Sequence, residues 1–372
     1  MPRKPTVLLN ALHTTTGGGL IYLQGILPEL VREERVQWQL LTSAETLAKL
    51  TIPAGVLVRT APKLGFGVSH LWEQLWLPVL ARVWGCNVVL ANANYGPLLA
   101  PRASVILHTT PRAAAAWEGM FWKVYWALLK VLTQACVARA PVFFSVAKHI
   151  VADYATAQTM QNLRLAPPAI AHEKIPEALV RDPNLVLAVG DFYPQKNYPL
   201  LLRAFAKLRE AMPKARLMIV GRPVQQNVRD DVMALARELN ITGGLTLVPG
   251  LPHDQLLKAL AQAAVYVSSS SAEAFNMPVL EAMACGTPVV VLETPFQREV
   301  AGADPQAAAV FVQANEGGDV PAALAIALLG VLANPPIAET LTRRGKARAA
   351  QFTWPNTART ITNGLAEILK LG

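Results

Sequence analysis

Glu273 and Glu281 are the only charges in SSSSAEAFNMPVLEAMACGTPVV, residues 268–290, a stretch that is otherwise uncharged and largely apolar. Burying an ionised carboxylate without partners is strongly unfavourable, so each is either compensated inside the protein or turned toward a polar ligand. AVYVSSS reads as a strand, SAEAFNM as the loop at its carboxyl end, and Pro278 as the first residue of a helix that stops at Gly286. The backbone N–H groups of roughly Phe275 to Val279, including Asn276 and Met277, then surround a positive helix terminus suited to a phosphate group. A carboxylate pair beside an anion site fits a sugar nucleotide, the carboxylates accepting from hydroxyls while the helix end holds the diphosphate. A ligand-free account also exists, in which Glu281 complements the helix dipole and Glu273 is a solvated loop residue.

In VGDFYPQKNYPLLLRAF, Lys196 and Asn197 follow a strand's carboxyl end and precede a helix, so the lysine can reach the same diphosphate. Taken alone, it is equally an ordinary surface-loop lysine.

The elements that must position these groups alternate along the chain. TVLLNAL, WQLLT, GVLVR, NVVLAN, SVILH and VFFSV read as short strands, separated by helical patterns such as HLWEQLWLPVLARVW and EGMFWKVYWALLKVLTQACVA. Such alternation predicts a parallel sheet flanked by helices. The glycine-rich turn HTTTGGGL joins the first strand to the first helix. APPAIAHEKIPEALVRDPN carries four prolines and no sustained period, which marks a linker. Beyond it LVLAVG, RLMIVG, LTLVPG, AVYVSSS and TPVVVLE repeat the alternation as a second doubly wound α/β domain.

A length of 372 residues also favours two domains, and 52% hydrophobic with 16% charged residues is a globular composition. Cys86, Cys136 and Cys285 are odd in number and set in apolar sequence, which predicts reduced thiols in a cytosolic compartment. The apolar run near the start is too short for a signal peptide, and the run from Val320 loses its apolar character at Asn334 and Pro335, so no membrane span is expected. Of the +9 net charge, most lies in residues 1–180, with 16 basic residues against 9 acidic. That half is expected to face an anionic partner or to be a solvated basic surface. Dispersed basic residues without a recognised motif argue against nucleic acid.

EAFNMPVLEAMACGTPVV resembles the E-x7-E signature of the family 4 retaining glycosyltransferases, and GDFYPQKNYPLLLRAF, HDQLLKALAQAAVYVSSS and FTWPNTA resemble that family's accompanying motifs. In the amino-terminal half, WEQLWLPVLARVWGCNVVLANANYGPLLAPRASVILHTTP and FFSVAKHI are similar to bacterial mannosyltransferase-like members. The resemblance implies the α/β GT-B fold: two Rossmann-like, doubly wound parallel-sheet domains with a cleft between them. The expected division is residues 1–168 for the acceptor domain, 169–184 for the linker and 185–353 for the nucleotide-sugar domain. A terminal helix over 354–372 is expected to cross back to the first domain.

The resemblance further implies that Glu273 contacts the donor sugar, Glu281 the ribose hydroxyls and Lys196 the diphosphate. His108, ending SVILH, corresponds to a histidine facing the donor sugar; a strand-end histidine bonded to a nearby carbonyl is the structural alternative. Gly17, Gly18 and Gly19 correspond to a flexible glycine loop that approaches the donor phosphates or the acceptor. Gly190, Asn197, Gly221, Arg222, Phe275, Asn276, Met277 and Pro278 complete the implied donor-binding set. His13 is a further candidate. No D-x-D triplet occurs, in keeping with metal-independent chemistry, and neither a metal nor a cofactor is expected beyond the donor substrate.

Three departures from the family pattern stand out. Asp191 follows Gly190 where many members have arginine. Ala274 and Asn276 replace glycines. His108-Thr109 stands where His-Asp is common, which removes the usual orienting carboxylate.

Trp117, Phe121, Trp122, Tyr125 and Trp126 lie among Arg112, Lys123 and Lys130, and Trp72, Trp76 and Trp84 follow the same style. Aromatics among lysines and arginines suit a helix at a lipid interface, and core packing of the same aromatics is the alternative. The function expected is transfer of a hexose, mannose by resemblance, from a nucleoside diphosphate sugar to a cell-envelope glycan or lipid-linked acceptor. The place expected is the cytoplasm, peripherally at the inner membrane face. The rival expectation is an inactive GT-B homologue that binds a glycan or a partner protein.

Overall fold

The computed structural model describes residues 4–15, 17–109, 119–177, 179–303, 305–314 and 317–370. The chain divides into two units, residues 1–169 with 352–372 and residues 170–351.

Seven strands build the first unit's sheet: β1 (Thr6–Asn10), β2 (Gln37–Thr42), β3 (Leu57–Thr60), β4 (Val88–Ala91), β5 (Ala103–Leu107), β6 (Phe143–Ser145) and β7 (Leu163–Leu165). All pair in parallel, in the order β3-β2-β1-β4-β5-β6-β7. The central runs VLLN and VVLA are buried on both faces, as sheets covered by helices require. Strand order reverses between β1 and β4, and a doubly wound sheet opens its ligand crevice at the carboxyl ends there.

The second sheet contains β8 (Asp182–Val189), β9 (Arg216–Val220), β10 (Leu245–Val248), β11 (Ala263–Ser268), β12 (Val289–Leu292) and β13 (Val310–Val312), in the order β10-β9-β8-β11-β12-β13. These strands are parallel too, and the order reverses between β8 and β11. Val186, Leu201, Phe205, Leu217, Val265 and Leu328 centre its core.

Several sequence expectations need correction. β7 and β13 are additional strands of three residues each, too short for a periodic pattern to announce. The single helix expected over HLWEQLWLPVLARVW is two, Phe66–Leu75 and Leu77–Val83, because Pro78 has no N–H to continue the first. The linker ends earlier than residue 184: Asp182 to Asn184 already belong to β8, with Asp182 opposite Ala263, and Pro183 is tolerated at a strand's start.

The glycines 17–19 are not a loop but the first turn of the helix Gly17–Arg32, with φ +64° at Gly17 alone. The helix Trp354–Leu369 packs on Gly17–Arg32 within the first unit. The ring of Trp354 meets Tyr22 edge-on at 5.5 Å, and Thr357 Oγ1 donates to Pro167 O at 2.7 Å. All three cysteines are buried and free. No single helix among the described residues is long and apolar enough to cross a membrane.

Candidate functional site

Each sheet gathers polar side chains where its order reverses. In the second unit, the helix Met277–Ala284 is capped by Asn276 in the left-handed conformation, φ 59°, a region asparagine tolerates better than most residues. Asn276 Nδ2 donates to Ser268 Oγ at 3.0 Å, which fixes the loop to the end of β11. Pro278 is the second helical residue, not the first, and Met277 precedes it. Both positions lie in the helix's first turn, where Pro278 has no N–H to offer and the Val279 N–H donates to Asn276 O at 3.1 Å. Phe275 is buried.

Both glutamates have protein partners. Lys196 Nζ donates to Glu273 Oε1 at 2.6 Å and Ser270 Oγ donates to the same oxygen at 2.7 Å. Lys196 reaches it from a short 3-10 turn, Pro194–Lys196, that ends in Asn197 at φ 51°. Gly190 makes room for this reach: a Cβ there would lie 2.6 Å from the lysine's Cε. A Cβ at Gly221 would lie 1.9 Å from the carbonyl oxygen of Gly190, so β8 and β9 leave the sheet in direct backbone contact. Expected as separate contacts to sugar and diphosphate, Glu273 and Lys196 are instead bonded to each other.

Glu281 Oε1 lies 2.9 Å from His253 Nε2. That bond raises the imidazole's pKa above its ordinary value, so the pair is charged on the acidic side and loses its charge-assisted bond as pH rises. His253 opens the helix His253–Gln262 and was not singled out in the sequence; nothing in HDQLLKALAQ marks it as facing a glutamate 28 residues away.

Asp191, which stands in place of a family arginine, clamps Arg222: its carboxylate accepts from Nη2 at 2.5 Å, from Nε at 3.1 Å and from the backbone N–H at 2.8 Å. Burial alone would raise the Asp191 carboxyl, but the combined bonds from Arg222 outweigh it and hold the pKa below its usual value.

In the first unit, His108 follows β5, and its Nε2 lies 3.0 Å from Asn92 Oδ1. Asn92 Nδ2 donates on to Thr14 Oγ1 at 3.1 Å. Tyr22 meets the His108 ring edge-on at 4.8 Å. Asn94 Oδ1 accepts from the backbone N–H of both His108 and Thr109, at 2.7 and 3.1 Å. The missing carboxylate beside His108 is therefore replaced by two asparagines that follow β4. Burial pushes the imidazole's pKa down to about 4, so His108 is a neutral hydrogen-bonding group at neutral pH.

His108 lines a cavity of about 920 Å³ together with His13, Gly19, His70, Tyr95 and Tyr125. Glu73, buried behind His13, had no sequence signal beyond being one glutamate in an apolar helix. Among the described residues, no group of three or more His, Cys, Asp or Glu side chains could hold a metal ion.

The aromatic residues divide. Trp72 and Trp84 pack against the first unit's core, while Trp76 and Phe121 are 59% and 63% exposed. Arg112 and Trp117 lie outside the described residues.

Residues 171–348 match the family described as Glycosyl transferases group 1. A D-inositol 3-phosphate glycosyltransferase of Segniliparus rotundus is 33% identical over 180 residues, covering 48% of this chain and 39% of that protein. The match thus spans about two fifths of that relative's length. Sucrose-phosphate synthase from Thermosynechococcus elongatus has a TM-score of 0.76 at 19% identity, covering 99% of this chain and 100% of the other. The Anabaena protein HepE, solved with UDP-glucose, has a TM-score of 0.74 at 16% identity, covering 97% and 99%. The fold is GT-B, with parallel sheets of seven and six strands in its two α/β units.

Proposed function

We propose, from the GT-B fold and the match of residues 171–348 to the group 1 glycosyl transferases, that this protein moves a hexose from a nucleoside diphosphate sugar to a hydroxyl acceptor. The observation that carries the reading is the Lys196–Glu273 pair beside the Met277–Ala284 terminus, where strand order reverses. A cation and the positive end of a helix suit a diphosphate, and the adjacent carboxylate suits the sugar next to it. Glu281, held by His253, is the contact proposed for the ribose hydroxyls.

The mechanism proposed is retaining, front-face transfer. The acceptor oxygen bonds to the anomeric carbon as the bond to the diphosphate breaks, and the departing phosphate oxygen takes the acceptor proton. Lys196 and the helix terminus stabilise the charge that develops on departure, the task a metal performs in other transferases. His108, neutral, offers a hydrogen bond to the sugar.

Mannose is the sugar proposed, on the sequence resemblance alone. Glucose competes with it because HepE was solved with UDP-glucose. A melting screen against GDP-, UDP-, ADP- and dTDP-sugars separates them. A ligand that binds only the folded state at ~100 times its Kd adds about 2.7 kcal/mol of stability, and the matching donor should raise the melting point by about 5 °C or more. A flat response to every donor, with no hydrolysis of any, favours the inactive-homologue reading.

The acceptor proposed is a glycan or lipid-linked glycan reached at a membrane's inner face. Helices Phe66–Leu75 and Leu77–Val83, with Trp76 between them, and Met120–Arg139 carry exposed Leu71, Trp76, Val83, Phe121 and Leu128, and their exposed charges are basic: Arg82, Lys123, Lys130 and Arg139. Their single acidic residue, Glu73, is buried. Exposed apolar side chains on helices whose exposed charges are all basic suit an anionic bilayer. The protein should sediment with phosphatidylglycerol vesicles and not with phosphatidylcholine vesicles, and Phe121→Ser with Leu128→Ser should weaken this. Equal failure to sediment with both vesicles counts against a membrane role.

A further inference from the structure

The cavity of the first unit has a carboxylate behind it that the donor machinery does not use. Glu73 is fully buried on the helix Phe66–Leu75, which turns Val68, Leu71 and Leu75 outward. A buried carboxylate is tolerated only with good partners, and its two bonds show what it holds in place. Asn10 Nδ2 donates to Oε1 at 2.5 Å, and His13 Nε2 lies 3.1 Å from Oε2. Both partners come from the end of β1 and the turn after it, at the strand reversal where a doubly wound sheet binds ligands.

A ring nitrogen facing a carboxylate carries the proton, and in the neutral imidazole that leaves Nδ1 as an acceptor. Nδ1 of His13 has no hydrogen-bond partner among the described residues. The His13 ring stacks on His70 with centroids 4.5 Å apart, and His70 stacks on Tyr95 at 5.6 Å. Tyr125 Oη lies 3.3 Å from His70 Nε2. All four line the cavity, whose about 920 Å³ is ample for a sugar-sized ligand, with Asn94 and His108 beside them. Flat rings next to amide and imidazole groups match a hydroxylated six-membered ring, its C–H face on the aromatics and its hydroxyls on the polar groups.

We propose that His13 Nδ1 accepts a hydrogen bond from a ring hydroxyl of the acceptor next to the one that reacts, that Glu73 is the positioning residue that fixes His13 from behind, and that the cavity takes a sugar or cyclitol ring. The word acceptor rests on the transferase reading; ring binding and the His13 geometry do not.

Saturation-transfer NMR on the full chain, with methyl α-D-mannopyranoside and myo-inositol as probes, tests the ring site. Ring C–H signals are expected with the wild type and should weaken about fivefold or more in His13→Ala, the loss of one hydrogen bond. Nitrogen-resolved spectra should show His13 protonated at Nε2 in the wild type. Glu73→Gln should shift that signature, because the amide offers one acceptor oxygen to two donors; if this variant does not fold, the wild-type tautomer and His13→Ala still decide. No probe signal with the wild type, an unchanged signal in His13→Ala, or His13 protonated only at Nδ1 overturns the proposal. Probe binding and an Nε2 proton in a protein that turns over no donor would separate this site from a failed transferase reading.

Discussion

Glu273→Gln should lower turnover about 100- to 1000-fold, the loss typical when one preorganised electrostatic contact to a transition state is removed. The amide keeps the size of the side chain and can still accept from Lys196 and Ser270. What disappears is the negative charge, which both balances Lys196 and, in the proposed mechanism, faces a sugar that gains positive character as the diphosphate leaves. The pair is largely buried, 15% and 18% exposed, so its electrostatics are only weakly screened. Steady-state kinetics with the donor found by melting, alongside circular dichroism, provides the check. Near-normal turnover in a folded variant would remove Glu273 from the mechanism.

Gly25→Ala should cost stability although alanine is the better helix former by about 1 kcal/mol. A Cβ at Gly25 would sit 2.1 Å from Cε2 and 2.2 Å from Cζ2 of Trp354, far inside contact distance. Those atoms belong to the body of the indole, which lies edge-on to Tyr22, itself fully buried, so rotation offers little relief. The helix Trp354–Leu369 must move instead. Overpacking of this kind costs about 1–3 kcal/mol, and the severity of the overlap places this site at or beyond the upper end. After the propensity gain, a net loss of about 2 kcal/mol should lower the melting point by roughly 4–8 °C. Trp354→Leu combined with Gly25→Ala should recover part of the loss, which a double-mutant cycle measures. An unchanged or higher melting point for Gly25→Ala would mean that the close approach does not hold the helix.

The loop between β11 and the helix Met277–Ala284 was legible because its grammar is local. A strand, a short loop and a proline-started helix fall within 23 residues, and Glu273 and Glu281 take their places from that order alone. Partners across the sheet were not legible. Asn92 and Asn94 meet His108 only because β4 pairs with β5, and His253 meets Glu281 across a helix and a strand. Glu73 was hidden for a different reason. In FGVSHLWEQL the usual rule is inverted, with aliphatic side chains outside and the carboxylate inside, so periodicity assigns Glu73 to solvent.

The return of the last helix to the first unit sets an order of assembly. The chain leaves that unit after residue 169 and re-enters it at residue 352. A ribosome therefore releases every residue of the second unit before the helix that completes the first one. Domains tend to close as soon as their residues are available, so the unit made first finishes last. Until Ile361 and Leu365, both fully buried in the folded protein, have emerged, the nascent amino-terminal sheet and its Gly17–Arg32 helix keep an apolar seam open to the solvent. Chaperone demand during synthesis should fall on that seam, and the carboxyl-terminal residues act as the closing stitch.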